Sequence, residues 1–442
     1  MVLMDLSAIN IALPSIKTYF NISVSEVSLI LMASMLMSSG LALVAGKLIE
    51  TKSSRLLLKI AFTIFGTTSL LSALTTDFYY LIPLRLIQGL AEAMLYVIGP
   101  ALIKKHINQN MQQKEYGRWM MSCGMGISLG PIIGALLIAS FGWKSVFLIN
   151  VPLAILGFYF SSQLSFKPQL NHHHQPADIK GAIFSFLFLT SFILFFNLLK
   201  QYTFSHPFLW LNLIFSMVFL SLFIRQEKKH PHPILDFSLF NIPNFRQANL
   251  GFFLFFLINV GSRFLRPFYF EEARLLSTTM SGVFMTISPL IMLIISFYID
   301  IFNRVLSVKK MVILGNILLS ISMLMFSFWD EHSSLIFIIS SMVILGLAMG
   351  IYYPATTQIG MKSLPLSHSG MGSASISISK SIGKLMGVVL FGLFFKLFFD
   401  SIINLEMEEL TQISTAISYV FIIGFVLSLV NSFWSFGIKN VG

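Results

Sequence analysis

Three charged side chains stand in strongly apolar stretches of the N-terminal part of the sequence: Asp5, Arg85 and Glu92. Ionised groups inside a membrane helix are unfavourable, and they are usually retained for function. A carboxylate in such surroundings binds a proton when it is buried alone and releases it when a cation comes close. We interpret Asp5 as the main proton carrier and Arg85 as the cation that holds a carboxylate ionised; the alternative is that Asp5 is a solvated residue near the start of the chain.

The spacing around Arg85 adds detail to this hypothesis. Gln88 and Glu92 follow it by three and seven residues, so all three side chains lie on one face of a helix. Glu92 is then either a second titrating acid or a site for cationic substrates. The alternative is a structural Arg85–Glu92 pair that seals the interior of the helix.

The composition indicates which elements position these side chains. Of 442 residues, 56% are hydrophobic and 11% charged, and the mean hydropathy is +0.82. Apolar runs of about 20 residues recur throughout, and runs of that length cross a bilayer as helices. We predict an all-α integral membrane protein with about 14 spans, at 1–16, 26–48, 55–75, 78–103, 117–140, 145–163, 180–199, 207–225, 246–270, 280–299, 309–328, 333–357, 372–398 and 412–434.

Basic residues predict the orientation of the spans. Of the 29 Lys and Arg residues, 19 fall in loops on the side of both termini, 5 in the opposite loops and 5 inside spans. Loops rich in Lys and Arg stay in the cytoplasm, so we expect both termini to be cytoplasmic and the protein to lie in the cell inner (plasma) membrane. The net charge of +11 therefore reflects topology, and we expect no nucleic acid partner.

Two hydrophilic stretches divide the predicted spans into six, two and six. We expect an N-terminal six-helix bundle at 1–163, an insert of cytoplasmic loops and two helices at 164–245, and a C-terminal six-helix bundle at 246–442. Six plus six is the repeat pattern of many secondary transporters. The first span is short, since residues 2–16 make about 22 Å of helix against a hydrocarbon core of about 30 Å. We therefore expect that the first helix is truncated.

The fifth predicted span carries Gly126, Gly130, Pro131 and Gly134. Glycines four residues apart let a neighbouring backbone approach closely, and a proline bends the helix and frees a carbonyl. We expect a packed and bent helix contact here.

These motifs resemble those of the fourteen-span drug:proton antiporters of the major facilitator superfamily. The first-helix motif of that family is similar to Asp5 and Asn10 with the Ala-Leu-Pro that follows, and its Arg-x-x-Gln-Gly motif is similar to Arg85, Gln88 and Gly89. The family's G-x-x-x-G-P-x-x-G motif, which marks exporters, is similar to residues 126–134. The resemblance covers nearly the whole chain, with its specific motifs in the first six spans.

The loop after the second span resembles a degraded form of the superfamily's cytoplasmic motif, with Gly46 and Arg55 retained and Glu50 in place of the family's Asp. Thr51 stands where the family has Arg, and Ser53 where it has the turn Gly. In the family this loop locks the two halves together. The resemblance implies a cytoplasmic gate at Gly46, Glu50 and Arg55, weakened by the two substitutions.

The resemblance implies a major facilitator fold and proton-coupled export of small hydrophobic or amphipathic compounds. The partners would be such a substrate, protons and the lipid bilayer, without a cofactor or a metal. Some fourteen-span relatives in double-membraned bacteria work with an adaptor, so a periplasmic adaptor protein stays open as a partner.

Further polar residues lie in spans. Asn10, Gln88 and Lys384 are candidates to support coupling, with Lys384 deeper in its span than Lys380. Arg263 and Arg266 are expected to extend towards the membrane interface, as long cationic side chains do.

Three other functions remain to be weighed. The first is an importer of another solute class, which the motif at residues 126–134 argues against. The second is a degenerate, non-transporting membrane protein, which the altered gate loop favours. An enzyme is the least supported, because the sequence has no catalytic triad, metal cluster or phosphate-binding loop.

Overall fold

The computed structural model describes residues 1–51, 53–164, 178–199, 206–230, 237–365, 369–402 and 408–439. Within these ranges the regular elements are helical, which confirms the predicted class. The α-helices, numbered in chain order, are α1 Val2–Phe20, α2 Val24–Thr51, α3 Ser54–Leu74, α4 Phe78–His106, α5 Gln109–Phe141, α6 Ser145–Leu148, α7 Asn150–Gln163, α8 Ile179–Leu198, α9 Pro207–Lys229, α10 Pro243–Phe268, α11 Thr278–Phe297, α12 Ile299–Val305, α13 Val308–Phe326, α14 Leu335–Lys362, α15 Ser369–Ile402 and α16 Glu409–Phe436.

Twelve helical segments in the described ranges are long and apolar enough to cross a membrane. The other two predicted spans correspond to α1, which has 19 residues, and to the apolar segment Lys180–Phe196 of α8. Helix α1 continues to Phe20, beyond the predicted end at residue 16, and is therefore about 28 Å long. The chain is a multi-pass membrane protein.

Several spans begin at a polar residue that satisfies one of the free N–H groups of the first turn. Asp77 accepts from the backbone N–H of Tyr79 at 2.9 Å at the start of α4. Serines perform the same role before α11, α13 and α14. Such caps stabilise helix starts and fix where the apolar segments leave their polar connections.

The chain forms two compact units, Met1–Ile234 and Leu235–Gly442. We call them unit 1 and unit 2. The inserted helices α8 and α9 both belong to unit 1. The finer division at residues 163 and 245 stays a prediction.

Close helix contacts in unit 1 depend on glycine. A Cβ added at Gly89 of α4 would lie 2.5 Å from the carbonyl oxygen of Ser34 in α2, so only glycine allows the observed approach. The inserted helix α8 also packs closely on α2, because a Cβ added at Gly40 of α2 would lie 2.6 Å from the Phe186 ring of α8. Helix α9 is the least buried candidate span, with 17% of its window buried, so it mainly faces lipid.

Unit 2 uses glycine in the same way between α10 and α15. A Cβ added at Gly387 would lie 2.4 Å from the carbonyl oxygen of Leu257, and one at Gly383 would lie 2.4 Å from that of Phe253. A buried amide pair adds polar contacts, since Asn431 of α16 donates to Asn316 of α13 at 2.9 Å. Interhelical hydrogen bonds of this kind stabilise membrane helices modestly.

Candidate functional site

The three charged residues predicted as the coupling centre do meet in unit 1. Arg85 Nη1 lies 3.1 Å from Asp5 Oδ2, and Arg85 Nη2 lies 3.6 Å from Glu92 Oε1. All three side chains are at most 1% exposed. Helix α1 supplies Asp5 and α4 supplies the other two, on one face as their spacing predicts. This is a buried cluster of two carboxylates and one guanidinium.

Arg85 is held by hydrogen bonds from three helices. Its Nη1 donates to Gln88 Oε1 at 2.7 Å, and its Nη2 donates to Ser34 Oγ of α2 at 3.0 Å. The Gln88 amide in turn donates to Ser69 Oγ of α3 at 3.1 Å. Phe147 lies under the guanidinium, with its ring centroid 5.9 Å from Cζ. The guanidinium is therefore held by several polar side chains, and Gln88, predicted as a supporting residue, is one of its hydrogen-bond partners.

The two acids differ in their hydrogen bonds. Asp5 accepts from Arg85 through one oxygen and from the Asn150 amide through the other. Glu92 accepts no hydrogen bond from the described residues at either carboxylate oxygen, and it has only the longer contact with Arg85. A buried carboxylate without donors is strongly unfavourable when ionised. Asp5 has a hydrogen-bond donor at each oxygen, and Glu92 has one at neither among the described residues.

Asn150 is a site residue that the sequence analysis missed. It lies at the start of α7 and is fully buried, with a hydrogen bond to Asp5 across 145 positions of sequence. The available signal was an amide inside an apolar span. Ser34 was missed because serine is common in membrane helices and its partner lies 51 residues away.

The glycines of the fifth span pack directly on α1. A Cβ at Gly130 would lie 1.9 Å from Ser7 Oγ and 2.9 Å from the Met4 carbonyl oxygen, and one at Gly134 would lie 2.9 Å from Ala8 Cβ. Gly126 is looser, at 3.4 Å from the Met4 backbone nitrogen. The helix turn that carries Asp5 therefore packs closely on α5, and Pro131 lies inside that helix, one residue after Gly130.

Asn10, predicted as a supporting polar residue, lies apart from the cluster. Asn10 is buried, but it follows Asp5 by five residues and so points about 140° away around α1. Its Oδ1 has no hydrogen-bond partner in the described part of the chain.

The predicted gate loop is partly helical. Helix α2 continues through Gly46 and Glu50 to Thr51, because a single glycine does not stop an apolar helical pattern. The side-chain environments of Gly46 and Glu50 lie outside the described residues. Arg55, in α3, donates to the carbonyl oxygen of Ser162 near the end of α7.

Four of the cationic side chains in the spans of unit 2 are Lys380, Lys384, Arg263 and Arg266. The Lys380 and Lys384 ammonium groups of α15 lie over the rings of Phe252 and Phe256 of α10, at 4.1 and 5.3 Å from the centroids. Arg266 is 3% exposed and packs on Phe326 of α13, so it does not extend to the membrane interface as the sequence analysis expected; an aromatic ring stabilises it inside the unit instead. The fourth cation, Arg263, is half-buried.

Comparison with known proteins agrees with this architecture. RibZ of Clostridioides difficile (strain 630), named a riboflavin transporter, is 28% identical over 374 residues, which is 85% of this chain and 81% of RibZ. The methylenomycin A resistance protein of Bacillus subtilis (strain 168) is 24% identical over 387 residues, covering 86% and 82%.

A crystal structure of a bacterial homolog of the human lysosomal transporter Spinster has the same fold. It superimposes with a TM-score of 0.71 over 99% of this chain and 94% of that one, at 13% identity. The sequence description of the Major Facilitator Superfamily matches residues 1–388. This chain is therefore a membrane transporter that belongs to the Major Facilitator Superfamily.

Proposed function

We propose that this transporter exports small hydrophobic or amphipathic compounds across the cell inner membrane in exchange for protons, by alternating access. Transport itself follows from the family. The direction, the coupling ion and the substrate class are the proposal.

The observation that carries the proposal is the charge balance of the cluster in unit 1. Asp5 and Glu92 share one cation, Arg85. With both acids ionised, the buried cluster would hold a net negative charge, and taking an uncompensated ion out of water costs several kcal/mol. The closed cluster is therefore most stable with a proton on one acid. When water enters, both acids can ionise and the proton leaves.

The hydrogen bonds of the two acids support a location for the proton in the described arrangement. Asp5 is paired and Glu92 is without donors, so Glu92 carries the proton while α1 lies against α4. If α1 moves away, Arg85 can pair with Glu92, and Asp5 becomes the acid that binds the proton. Asp5 thus remains the acid whose protonation depends on helix movement.

Two observations support export. The glycine motif at residues 126–134, which resembles that of antiporters, contacts the α1 turn that carries Asp5, so a movement of α5 acts directly on the acid. One relative is named a resistance protein, a name that fits removal of a toxic compound.

The test is dye transport in inverted membrane vesicles energised with a proton gradient. Asp5→Asn should reduce proton-driven uptake to background at normal expression, while the matched variant Asp400→Asn, which changes an exposed carboxylate at the end of α15, should retain it. If Asp5→Asn transports as well as the parent, Asp5 is not the main proton carrier, and if Glu92→Gln also transports normally, proton coupling through this cluster is wrong.

The same assay separates the alternatives. One relative is named a riboflavin transporter, so import of a polar solute is the second candidate. Uptake into intact cells that depends on Asp5, without efflux of any amphipathic dye, would replace the export proposal. A chain that transports in neither direction would fit the degenerate, non-transporting reading.

A further inference from the structure

We propose that the exported compounds include planar aromatic anions, and that unit 2 holds their negative group between Lys380, Lys384 and Arg263 and their ring against the neighbouring aromatic side chains. The proposal deepens the proposed function by naming a substrate class. It rests on the charges of unit 2, which the proton mechanism in unit 1 does not use.

The cations lie together. Lys380 and Lys384 are one helical turn apart on α15, and both lie over phenylalanines of α10. Arg263 lies on the same face of α10 as Phe256, two helical turns beyond the ring that Lys384 covers. Like charges brought together in a span repel each other. Such a group is stable when an anion is placed between its members.

No such anion is supplied by the described part of unit 2. None of its described carboxylates lies within 4.0 Å of the nitrogens of Lys380, Lys384, Arg263 or Arg266. Cations in membrane spans ordinarily pair with an acid or with carbonyl groups, or they face water on a substrate path. The exposure of α15 fits cations that face water on a substrate path.

The face of α15 that carries the lysines is polar and accessible. Ser373, Ser377, Lys380 and Lys384 follow one another at helical spacing; the two serines are exposed and the two lysines half-buried. A polar, accessible face in a membrane span faces water rather than lipid. Lys380 and Lys384 are therefore partly accessible to a solute from this face.

The unsatisfied groups on α10 are hydrogen-bond donors. Asn259 Nδ2 and Arg263 Nη2 are buried atoms without a hydrogen-bond partner in the described part of the chain, and Asn259 is 3% exposed. Asn259 lies three residues from Phe256 and four from Arg263, on their face of the helix. A ligand rich in acceptor atoms, such as a carboxylate or sulfonate, would satisfy both donors.

The aromatic side chains define the rest of the ligand. The Phe256 and Tyr353 rings are stacked at 4.9 Å with 10° between their planes, and Lys384 lies over Phe256. Flat rings beside a cation favour a planar aromatic body through stacking and dispersion. The preferred ligand therefore carries its charge on or next to an aromatic ring.

Binding to the purified transporter in detergent tests the proposal without requiring transport. The probes are 2-naphthoate and its neutral isostere 2-naphthamide, and the readout is the shift of the thermal unfolding midpoint with probe concentration. We expect naphthoate to stabilise the protein at a concentration at least ~10-fold lower than naphthamide. Equal stabilisation by the two probes would overturn the proposal.

Substitutions localise the effect. Lys384→Met should weaken naphthoate binding by ~10-fold and leave naphthamide binding unchanged, and Lys384→Arg should retain naphthoate binding. Lys310→Met, which removes an exposed cation of α13, is the matched control and should bind as the parent does. If Lys384→Met binds naphthoate normally, the site is not where we place it.

Two further arms separate related outcomes. If phosphatidylglycerol stabilises the protein through Lys384 and naphthoate does not, the ligand is a lipid headgroup and the substrate proposal is wrong. Asp5→Asn should still bind naphthoate, because the acid lies in unit 1. Binding that persists while efflux is lost would show that the anion site holds whether or not proton coupling works as proposed.

Discussion

Units 1 and 2 both place charged side chains inside their spans, but they compensate them differently. In unit 1 the Arg85 guanidinium meets two carboxylates and two polar side chains within its own bundle. In unit 2 Arg266, Lys380 and Lys384 lie on phenylalanine rings, and donors on α10 remain without acceptors in the described part of the chain. A cluster in which two carboxylates share one guanidinium is suited to binding and releasing one proton. A cluster that lacks its counter-ion is suited to receiving one from outside.

Removing the cation of unit 1 should have the largest effect. Arg85→Gln leaves two buried carboxylates without compensation, and breaking a buried pair in this way costs roughly 3–5 kcal/mol. We expect loss of proton-driven efflux together with a clearly lower unfolding midpoint in detergent.

A rescue variant distinguishes charge from packing at this position. Arg85→Gln combined with Asp5→Asn removes most of the imbalance and should recover part of the unfolding midpoint, but no transport. A double variant no more stable than Arg85→Gln alone would mean that Arg85 acts through packing, and the contrast between the units would fail.

Gly130→Leu should abolish efflux with little effect on membrane insertion. Its side chain would collide with Ser7 and the Met4 carbonyl and push α1 from α5. Gly117→Leu in the same helix is the matched control, since a Cβ there meets nothing within 4 Å. Vesicle transport and the amount of inserted protein are the measurements. Normal transport by Gly130→Leu would separate this glycine contact from the movement of Asp5.

Glu92→Gln should have a smaller and more selective effect. The substitution replaces a carboxylate without donors by a neutral group of similar shape, so stability should change by less than about 1 kcal/mol. Efflux should persist at a reduced rate, with weaker dependence on the proton gradient or a selective loss of cationic substrates. If Glu92→Gln stops transport while Asp5→Asn does not, the main carrier is Glu92.

The predicted orientation can be checked without disturbing function. In a Cys123→Ala background, His173→Cys should resist a membrane-impermeant thiol reagent in intact cells, and His332→Cys should react. His173 lies outside the described residues, whereas His332 is exposed in the connection between α13 and α14. The reverse pattern would place the termini outside the cytoplasm.

The apolar runs predicted the helical class. The free-energy cost of an unpaired charge inside a membrane span predicted that Asp5, Arg85 and Glu92 would meet. They did not predict which acid would be satisfied. That depends on Asn150, an amide 145 positions from Asp5, and no local pattern links the two.

The sequence was least informative about Arg266. Its position near the end of a span suggested that it extends to the interface, but the Phe326 ring of another helix retains it. The end of the second span was also placed too early, at residue 48, whereas α2 continues to Thr51.

Lys380, Lys384 and Arg263, which have no carboxylate partner among the described residues, have an electrical consequence. A charge that crosses the whole membrane potential changes energy by about 2.3 kcal/mol per 100 mV, and a partial crossing contributes in proportion. Any displacement of Lys380, Lys384 or Arg263 along the membrane normal is therefore driven or opposed by the voltage, whereas a neutral protonated cluster around Arg85 moves without electrical work. An anion bound between the lysines would cancel much of that sensitivity, so the energised membrane would act differently on the loaded and the empty transporter.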